Sequence, residues 1–99
     1  MSQPIGLRLE KYTGKRKEVL MVHLEMASGE PDTVAIYAGF SSSLMRATAF
    51  DPDVPVIAAD AQIISVDRLK SPYNPSNPQY IESGLTLEAM ENILREMNL

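Results

Sequence analysis

Residues 19–26 constrain the fold of this 99-residue chain more than any other segment. In an extended strand, successive side chains point to opposite sides. One side of this run is wholly apolar, while the other begins apolar and becomes polar at His23 and Glu25. The pattern predicts a strand that is buried on one side and half covered on the other. The wholly apolar side consists of Leu20, Val22, Leu24 and Met26.

Other segments predict an antiparallel sheet around this strand. Residues 7–12 approximate an alternating pattern, and residues 13–16 predict a hairpin turn because Gly14 tolerates a positive φ. Residues 33–39 are rich in β-branched and aromatic side chains, and residues 62–69 contain Ile and Val at core spacing. Both are expected to be strands of the same sheet.

The C-terminal residues predict a helix over about residues 86–97. Thr86 is a favourable N-cap, and Glu88 suits the positive end of the helix dipole. The apolar residues recur at helical spacing, so this helix is expected to dock on the sheet. They are Leu87, Met90, Ile93, Leu94 and Met97. Before the helix, residues 71–80 contain a proline at every third position, which predicts an extended, turn-rich connection.

These elements predict one α+β domain that spans residues 1–99. Its strands are expected within about residues 7–69, followed by the proline-rich connection 71–80 and the helix 86–97. The predicted architecture is a strongly bent antiparallel sheet of four or five strands with the C-terminal helix packed on it. The same strands closed into a small SH3-like or OB-like barrel are the alternative.

Composition excludes several classes of site. The chain has no cysteine and one histidine, which excludes disulfides, thiolate metal sites and motifs that need two imidazoles. No apolar run approaches the ~18–20 residues of a membrane-spanning helix. The N-terminal residues lack the basic and apolar regions of a signal peptide. We therefore expect a soluble, cytoplasmic domain that is not inserted in a membrane.

The candidate catalytic and metal-binding residues do not form known motifs. His23 is the one histidine, a residue type common in acid–base catalysis, but no serine lies in a nucleophile elbow. The polar residues 41–43 lack the glycine and lysine of a phosphate-binding loop, and we interpret them as a polar loop. The acidic residues do not match a calcium-binding loop. These are Asp51, Asp53 and Asp60. No catalytic residue, cofactor or metal is predicted, and the chain is not expected to be an enzyme.

Two segments carry a resemblance to a known family. They are residues 39–44, continuing through residues 49–55, and residues 67–75 with the sequence Asp-Arg-Leu-Lys-Ser-Pro-Tyr-Asn-Pro. Together they resemble a small uncharacterised domain family of cyanobacteria and plant plastids, over about residues 7–95. The resemblance implies a setting in the cyanobacterial cytoplasm or the plastid stroma. It implies no activity and no role for any residue.

The function predicted from the sequence is that of a non-enzymatic protein-interaction or assembly module. Its partner is expected to be another protein or a second copy of the chain. The predicted interaction surface lies in the proline-rich connection, since prolines limit the chain's freedom and tyrosines are common interface anchors. Its residues are Tyr73, Pro75 and Tyr80.

The alternative is a small barrel that binds single-stranded nucleic acid. A basic hairpin over residues 11–17 would contact phosphates, and the adjacent Tyr12 would stack on a base. The predicted anion contacts are Lys11, Lys15, Arg16 and Lys17. The formal net charge of −4 makes this alternative less favoured, because nucleic-acid-binding domains usually present a wide basic surface.

Overall fold

The computed structural model describes residues 4–44, 56–57 and 60–99 of the chain. Within them, two helices and five strands follow one another in the order α1, β1 to β5, α2. Their bounds are α1 Ile5–Lys15, β1 Glu18–Glu25, β2 Pro31–Tyr37, β3 Phe40–Ser43, β4 Gln62–Lys70, β5 Tyr80–Leu85 and α2 Leu87–Glu96. Neither helix is long and apolar enough to span a membrane, as far as the described residues go. Asp51 and Asp53, two of the acidic residues that do not match a calcium-binding loop, lie outside the described residues.

The five strands form one antiparallel sheet with the spatial order β3-β2-β1-β4-β5. The strand predicted from residues 19–26 is β1, and it lies at the centre of the sheet. A β-bulge between His23 and Leu24 shifts its register with β4, and bulges bend the strands that contain them. The predicted α+β fold with a bent sheet is confirmed. Among the described strands, β3 and β5 are free edges, so the sheet does not close into a barrel.

The first predicted strand and hairpin are wrong, because residues 5–15 form the helix α1. Ile5, Leu9 and Tyr12 recur at spacings of four and three residues, so they also share one side of a helix. Leu9 and Tyr12 are fully buried, whereas Leu7 is 41% exposed. The alternating interpretation required Leu7 on the same side as Leu9, and tertiary packing selects the helical pattern instead. Gly14 therefore lies inside a helix rather than in a turn.

Both helices pack on the same face of the sheet. The main core joins α1 through Leu9 and Tyr12 to α2 through Met90 and Leu94, and all four side chains are fully buried. The sheet contributes the predicted apolar side of β1 together with inward residues of its neighbours. These are Leu20, Val22, Leu24, Val34, Ile36, Ile63 and Val66. We call this side of the sheet the helix face and the opposite side the open face.

The predicted C-terminal helix is confirmed, and a fifth strand precedes it. The Thr86 hydroxyl accepts a hydrogen bond from the backbone N–H of Ala89, as expected of an N-cap. The predicted strands ended at about residue 69. The structure adds an edge strand, β5, over residues 80–85, which pairs with β4. The proline-rich connection thus joins two adjacent strands at one end of the sheet.

The residues interpreted as a polar loop, 41–43, belong to the edge strand β3, and that interpretation is wrong. Its inward serines form hydrogen bonds instead of packing in the core. The Ser41 hydroxyl donates to Glu10 Oε2 at 2.6 Å, and the Ser43 hydroxyl donates to Asp32 Oδ1 at 2.8 Å. An edge strand pairs with a neighbour on one side only, so its side chains are less buried than those of a central strand. Its serines therefore need not be replaced by apolar residues, and the polar sequence resembles that of a loop.

The tight turn between β2 and β3 fixes where α1 meets the sheet. Ala38 and Gly39 both have positive φ, at 51° and 86°, which gives the two-residue hairpin turn that matches strand twist. The N–H of Gly39 donates to the Thr13 hydroxyl at 3.0 Å, and that hydroxyl donates to the Glu10 carbonyl. The C-terminal end of α1 is thereby held against the β2–β3 turn.

Candidate functional site

The open face of the sheet carries none of the described helices. At its centre, Val19, Met21 and Leu69 form a small buried cluster of their own, with Ala35 packed against it. This cluster is separate from the main core on the helix face. The half-covered side that the sequence predicted for β1 is therefore the open face.

A row of apolar side chains crosses the open face from one edge strand to the other. Tyr37 pairs with Phe40, and Leu69 pairs with both Val19 and Tyr80. Continuing the pairing of Leu20 with Ile36 by one residue brings Val19 beside Tyr37. The two central members of the row are buried, whereas Phe40 is 78% exposed, Tyr37 53% and Tyr80 54%. We call Phe40, Tyr37 and Tyr80 the aromatic row.

Aliphatic side chains are exposed nearer the opposite end of the sheet. Leu44 is 58% exposed, and its N–H donates to the Thr33 carbonyl, which extends the β2–β3 pairing. The alternation of β3 gives Leu44 the same side as Phe40. Ile64, the extra residue at the bulge opposite β1, is 54% exposed. The sequence placed Ile64 in the core with Ile63 and Val66, and that prediction is wrong because the bulge turns Ile64 outward. The exposure of Phe40 and Leu44 was not predicted, because it depends on which strands become edges.

Several candidate residues from the sequence meet at one end of the sheet. Antiparallel pairing places the start of β1, the β2–β3 turn and the end of β4 together. A cleft of about 380 Å³ at this end includes Lys17, Tyr37 and Ser71 in its lining. The rest of its lining comes from Thr13, Gly14, Glu18 and Ala38. One predicted basic contact and one member of the aromatic row thus share a concave surface.

The basic residues of segment 11–17 do not form a hairpin, so the predicted basic hairpin is wrong. Lys11 and Lys15 belong to α1, while Arg16 and Lys17 link α1 to β1. All four are exposed. Tyr12, the predicted stacking residue, is fully buried and contributes nothing to a surface. The four basic residues therefore lie on the last turns of α1 and on the link that follows it.

The predicted interaction residues of the proline-rich connection are all exposed. Tyr73 is 39% exposed, Pro75 is exposed and Tyr80 belongs to the aromatic row. Tyr80 is the first residue of β5, and its pairing with Leu69 places it on the open face. The structure thus connects one of the three predicted residues to an apolar surface that the sequence did not reveal.

The histidine lies within the open face. His23 Nε2 is 2.8 Å from Asp67 Oδ2, and Asp67 Oδ1 accepts the N–H of Gly84 at 2.8 Å. The Thr33 hydroxyl is 3.4 Å from His23 Nδ1. This order of hydroxyl, imidazole and carboxylate resembles a nucleophile with its base, but the 3.4 Å from the Thr33 hydroxyl to His23 Nδ1 is longer than the ~2.6–3.2 Å typical of such a pair. His23 lies mid-strand on the sheet surface and does not line the cleft described above.

A buried polar network lies on the helix face at the same end as the aromatic row. Arg68 binds both carboxylate oxygens of Glu18, at 2.9 and 3.2 Å, and the Tyr12 hydroxyl donates to Glu18 at 2.6 Å. Arg68 also pairs with Glu82 on β5. The network therefore ties α1, β1, β4 and β5 together.

The electrostatics of this network favour its charged form. Burial alone would raise the pKa of Glu18, but the hydrogen bonds from Arg68 and Tyr12 lower it below its ordinary value. Burial and the bond to Glu18 raise the pKa of Tyr12 to about 12. The bond to Glu18 raises the pKa of Arg68. All three groups keep their usual protonation states at neutral pH, so the network is structural support for the sheet.

No group of three or more His, Cys, Asp or Glu side chains is placed to hold a metal ion in the part of the chain that the structure describes. The family described as "Domain of unknown function (DUF7734)" matches residues 6–94. No curated protein and no solved structure matches the chain.

Proposed function

This chain belongs to the DUF7734 family, and we propose that it is a non-enzymatic protein-interaction module whose binding surface is the open face of its sheet. The aromatic row is the observation that carries the proposal. Three large aromatic side chains, each more than half exposed, lie in line on a face without described helices. Large exposed apolar patches on a folded protein commonly mark sites where it binds a partner.

Aromatic side chains suit this role for physical reasons. Each buries a large area on binding and has few rotatable bonds, so little conformational entropy is lost. Val19 and Leu69 lie between Tyr37 and Tyr80 in the row, and both are buried members of the central strands. Side chains held on a paired sheet lower the ordering cost of binding a partner.

The position of His23 also supports a binding role over catalysis. A histidine that acts as a general base must reach the proton it abstracts, and most catalytic sites are concave and partly closed to water. His23 lies on an open sheet surface, its side chain is 42% exposed and its carboxylate partner is engaged by Gly84 as well. In keeping with the family resemblance, we propose that the module works in the cyanobacterial cytoplasm or the plastid stroma.

Binding of single-stranded nucleic acid is the second candidate function. The observation that favours it is the cleft that Lys17 shares with Tyr37 at one end of the aromatic row. Stacking on aromatic side chains beside basic residues is how single strands are bound without sequence preference. The net charge of −4 opposes it, so protein binding remains the first candidate.

Quantitative affinity capture from the native organism tests the proposed function. The bait is the wild-type chain, Phe40→Ala, or the matched control Leu7→Ala, whose exposed leucine lies on α1. Each capture is run with and without nuclease. We expect at least one protein whose capture by the wild-type bait does not change with nuclease. The Leu7→Ala control should capture the same amount of it, and Phe40→Ala should capture at least tenfold less.

Equal capture of every protein by Phe40→Ala and wild type would contradict the proposal. Enrichment that disappears with nuclease would instead favour the nucleic-acid candidate. Phe40 is 78% exposed, so its truncation is not expected to unfold the domain. A thermal melt of each bait verifies this before capture.

A further inference from the structure

We propose that Thr13 and Glu10 of α1 are positioning residues for partner binding, because they fix the backbone that presents Phe40. This inference rests on the proposed function, since Phe40 is the most exposed member of the aromatic row. Thr13 is only 3% exposed, so it acts through Phe40 rather than on a partner directly. The two residues order the surface before any partner binds.

The position of Phe40 makes such support necessary. Its side chain is 78% exposed, and it begins the short edge strand β3, which pairs only with β2 among the described strands. A segment with so few packing contacts opens locally at little cost. A mobile anchor must be ordered when a partner binds, and that ordering lowers the affinity. Any contact that already holds the backbone of Phe40 therefore favours binding.

Two hydrogen bonds to α1 hold the residues on either side of Phe40. The N–H of Gly39 donates to the Thr13 hydroxyl at 3.0 Å, and the Ser41 hydroxyl donates to Glu10 Oε2 at 2.6 Å. We call these two bonds the turn clamp. Because side chains alternate along a strand, Ser41 points to the helix face while Phe40 points to the open face. The turn clamp thus holds the backbone and leaves the Phe40 ring accessible.

The turn clamp connects a demanding turn to the rigid part of the molecule. Ala38 has a φ of 51°, a conformation that a residue with a side chain keeps only when its surroundings enforce it. On the helix side, the Thr13 hydroxyl also donates to the Glu10 carbonyl at 2.8 Å. Leu9 and Tyr12, next to these residues in α1, are fully buried in the main core. The order of the core is therefore passed to the turn that presents Phe40.

Backbone amide relaxation of the purified full chain, measured by NMR, tests the turn clamp without a partner. Thr13→Val keeps the shape of the side chain and removes its hydroxyl, whereas Thr13→Ser keeps the hydroxyl. Ser41→Ala removes the other bond from the exposed edge, so the test does not depend on the buried position alone. Thr86→Ala is the control, because it removes a hydrogen bond of α2 rather than one of the turn.

The order parameter of the Phe40 N–H is the quantity compared. Wild type, Thr13→Ser and the control should give about 0.85, the value of a rigid backbone. Thr13→Val and Ser41→Ala should each lower it, and the double variant Thr13→Val/Ser41→Ala should bring it to about 0.6, the value of a flexible segment.

Affinity capture with the same variants as baits tests whether this order matters for binding. The measured protein is the one whose capture is lost with Phe40→Ala. Thr13→Val should weaken its binding about fivefold, or ~1 kcal/mol, which is the cost of ordering the backbone of about one residue. Thr13→Ser and Thr86→Ala should capture the wild-type amount. A loss of stability alone would affect Thr86→Ala as well, so the control separates positioning from general destabilisation.

The other outcomes count against the inference. The same Phe40 order parameter in wild type and in the double variant would overturn it, and so would a flexible Phe40 in the wild type. If the turn loosens but the Phe40-dependent capture is unchanged, the positioning role fails while the proposed function stands. If no capture depends on Phe40 at all, the proposed function fails and the positioning role fails with it.

Discussion

Replacing Arg68 with leucine tests whether the buried polar network holds β1, β4 and α1 together. In the wild-type chain, Glu18 accepts two hydrogen bonds from Arg68 and one from Tyr12, and its side chain is 11% exposed. The leucine variant leaves this carboxylate buried without the arginine that binds both of its oxygens. Breaking a buried pair in this way costs about 3–5 kcal/mol, because an uncompensated charge remains in a poorly solvated place.

The expected loss is large for a domain of this size. Small domains are stable by only about 5–15 kcal/mol. A loss of ~3 kcal/mol should lower the Tm by roughly 12–24 °C. The matched control is Arg95→Leu, whose arginine is exposed on α2 and bonds only to Asn92 among the described residues. The control should change stability by no more than ~0.5 kcal/mol.

The pH dependence identifies the cause of the loss. The wild-type environment lowers the pKa of Glu18, so this group stabilises the fold above its unfolded pKa, and the stabilisation disappears as the pH falls through the folded pKa. In Arg68→Leu the same carboxylate has lost its main stabilising partner, and protonation relieves the penalty. The difference in stability between wild type and variant should therefore be greatest near pH 7 and shrink below about pH 4–5.

Urea denaturation followed by circular dichroism at pH 7 and pH 4 measures both effects. Adding Glu18→Gln to the Arg68→Leu background removes the unpaired charge and should recover part of the stability at pH 7. The reasoning is refuted if Arg68→Leu loses no more stability than Arg95→Leu. It is also refuted if the loss is the same at both pH values.

Three further predictions concern the helices and the second candidate function. Gly14→Ala should stabilise the domain by about 0.5 kcal/mol in thermal melts, since Gly14 lies in α1 and no heavy atom is near an added Cβ. Gly39→Ala should destabilise the domain by about 1 kcal/mol, because Gly39 has a positive φ. Thr86→Ala should cost about 1 kcal/mol in urea denaturation, and Thr86→Ser much less, because the serine hydroxyl can still cap α2. Single-stranded RNA and DNA should bind weakly and salt-sensitively at ~150 mM salt in anisotropy titrations. Submicromolar affinity that disappears with Lys15→Ala/Arg16→Ala/Lys17→Ala would contradict the preference for a protein partner.

The central strand and the last helix could be predicted because their signals are local. The alternation in residues 19–26 and the capped apolar stripe of residues 86–97 each allow one periodicity only. Residues 5–15 carry both periodicities at once, since Leu9 belongs to an alternating set with Leu7 and to a helical set with Tyr12. Which set is buried depends on packing against distant strands, so the sequence alone did not decide it.

The candidate site was only partly predictable for a related reason. Tyr80 was identified from its own neighbourhood, as a tyrosine after a proline-rich stretch. Phe40 and Tyr37 join it only through pairing across five strands, and the register that aligns them is a non-local property. The β3 strand was missed because its inward serines bond to Glu10 and Asp32, partners 31 and 11 residues away in sequence.

Photo-crosslinking in the native organism tests most directly whether the open face is the interaction surface. A photoreactive benzoylphenylalanine at position 40 samples the open face, and the same group at position 7 samples the exposed side of α1. Irradiation of intact cells followed by immunoblotting detects covalent adducts without knowledge of the partner. We predict a discrete adduct from position 40, to a second copy or to another protein, and little or none from position 7. Adducts from position 7 that equal or exceed those from position 40 would contradict this account.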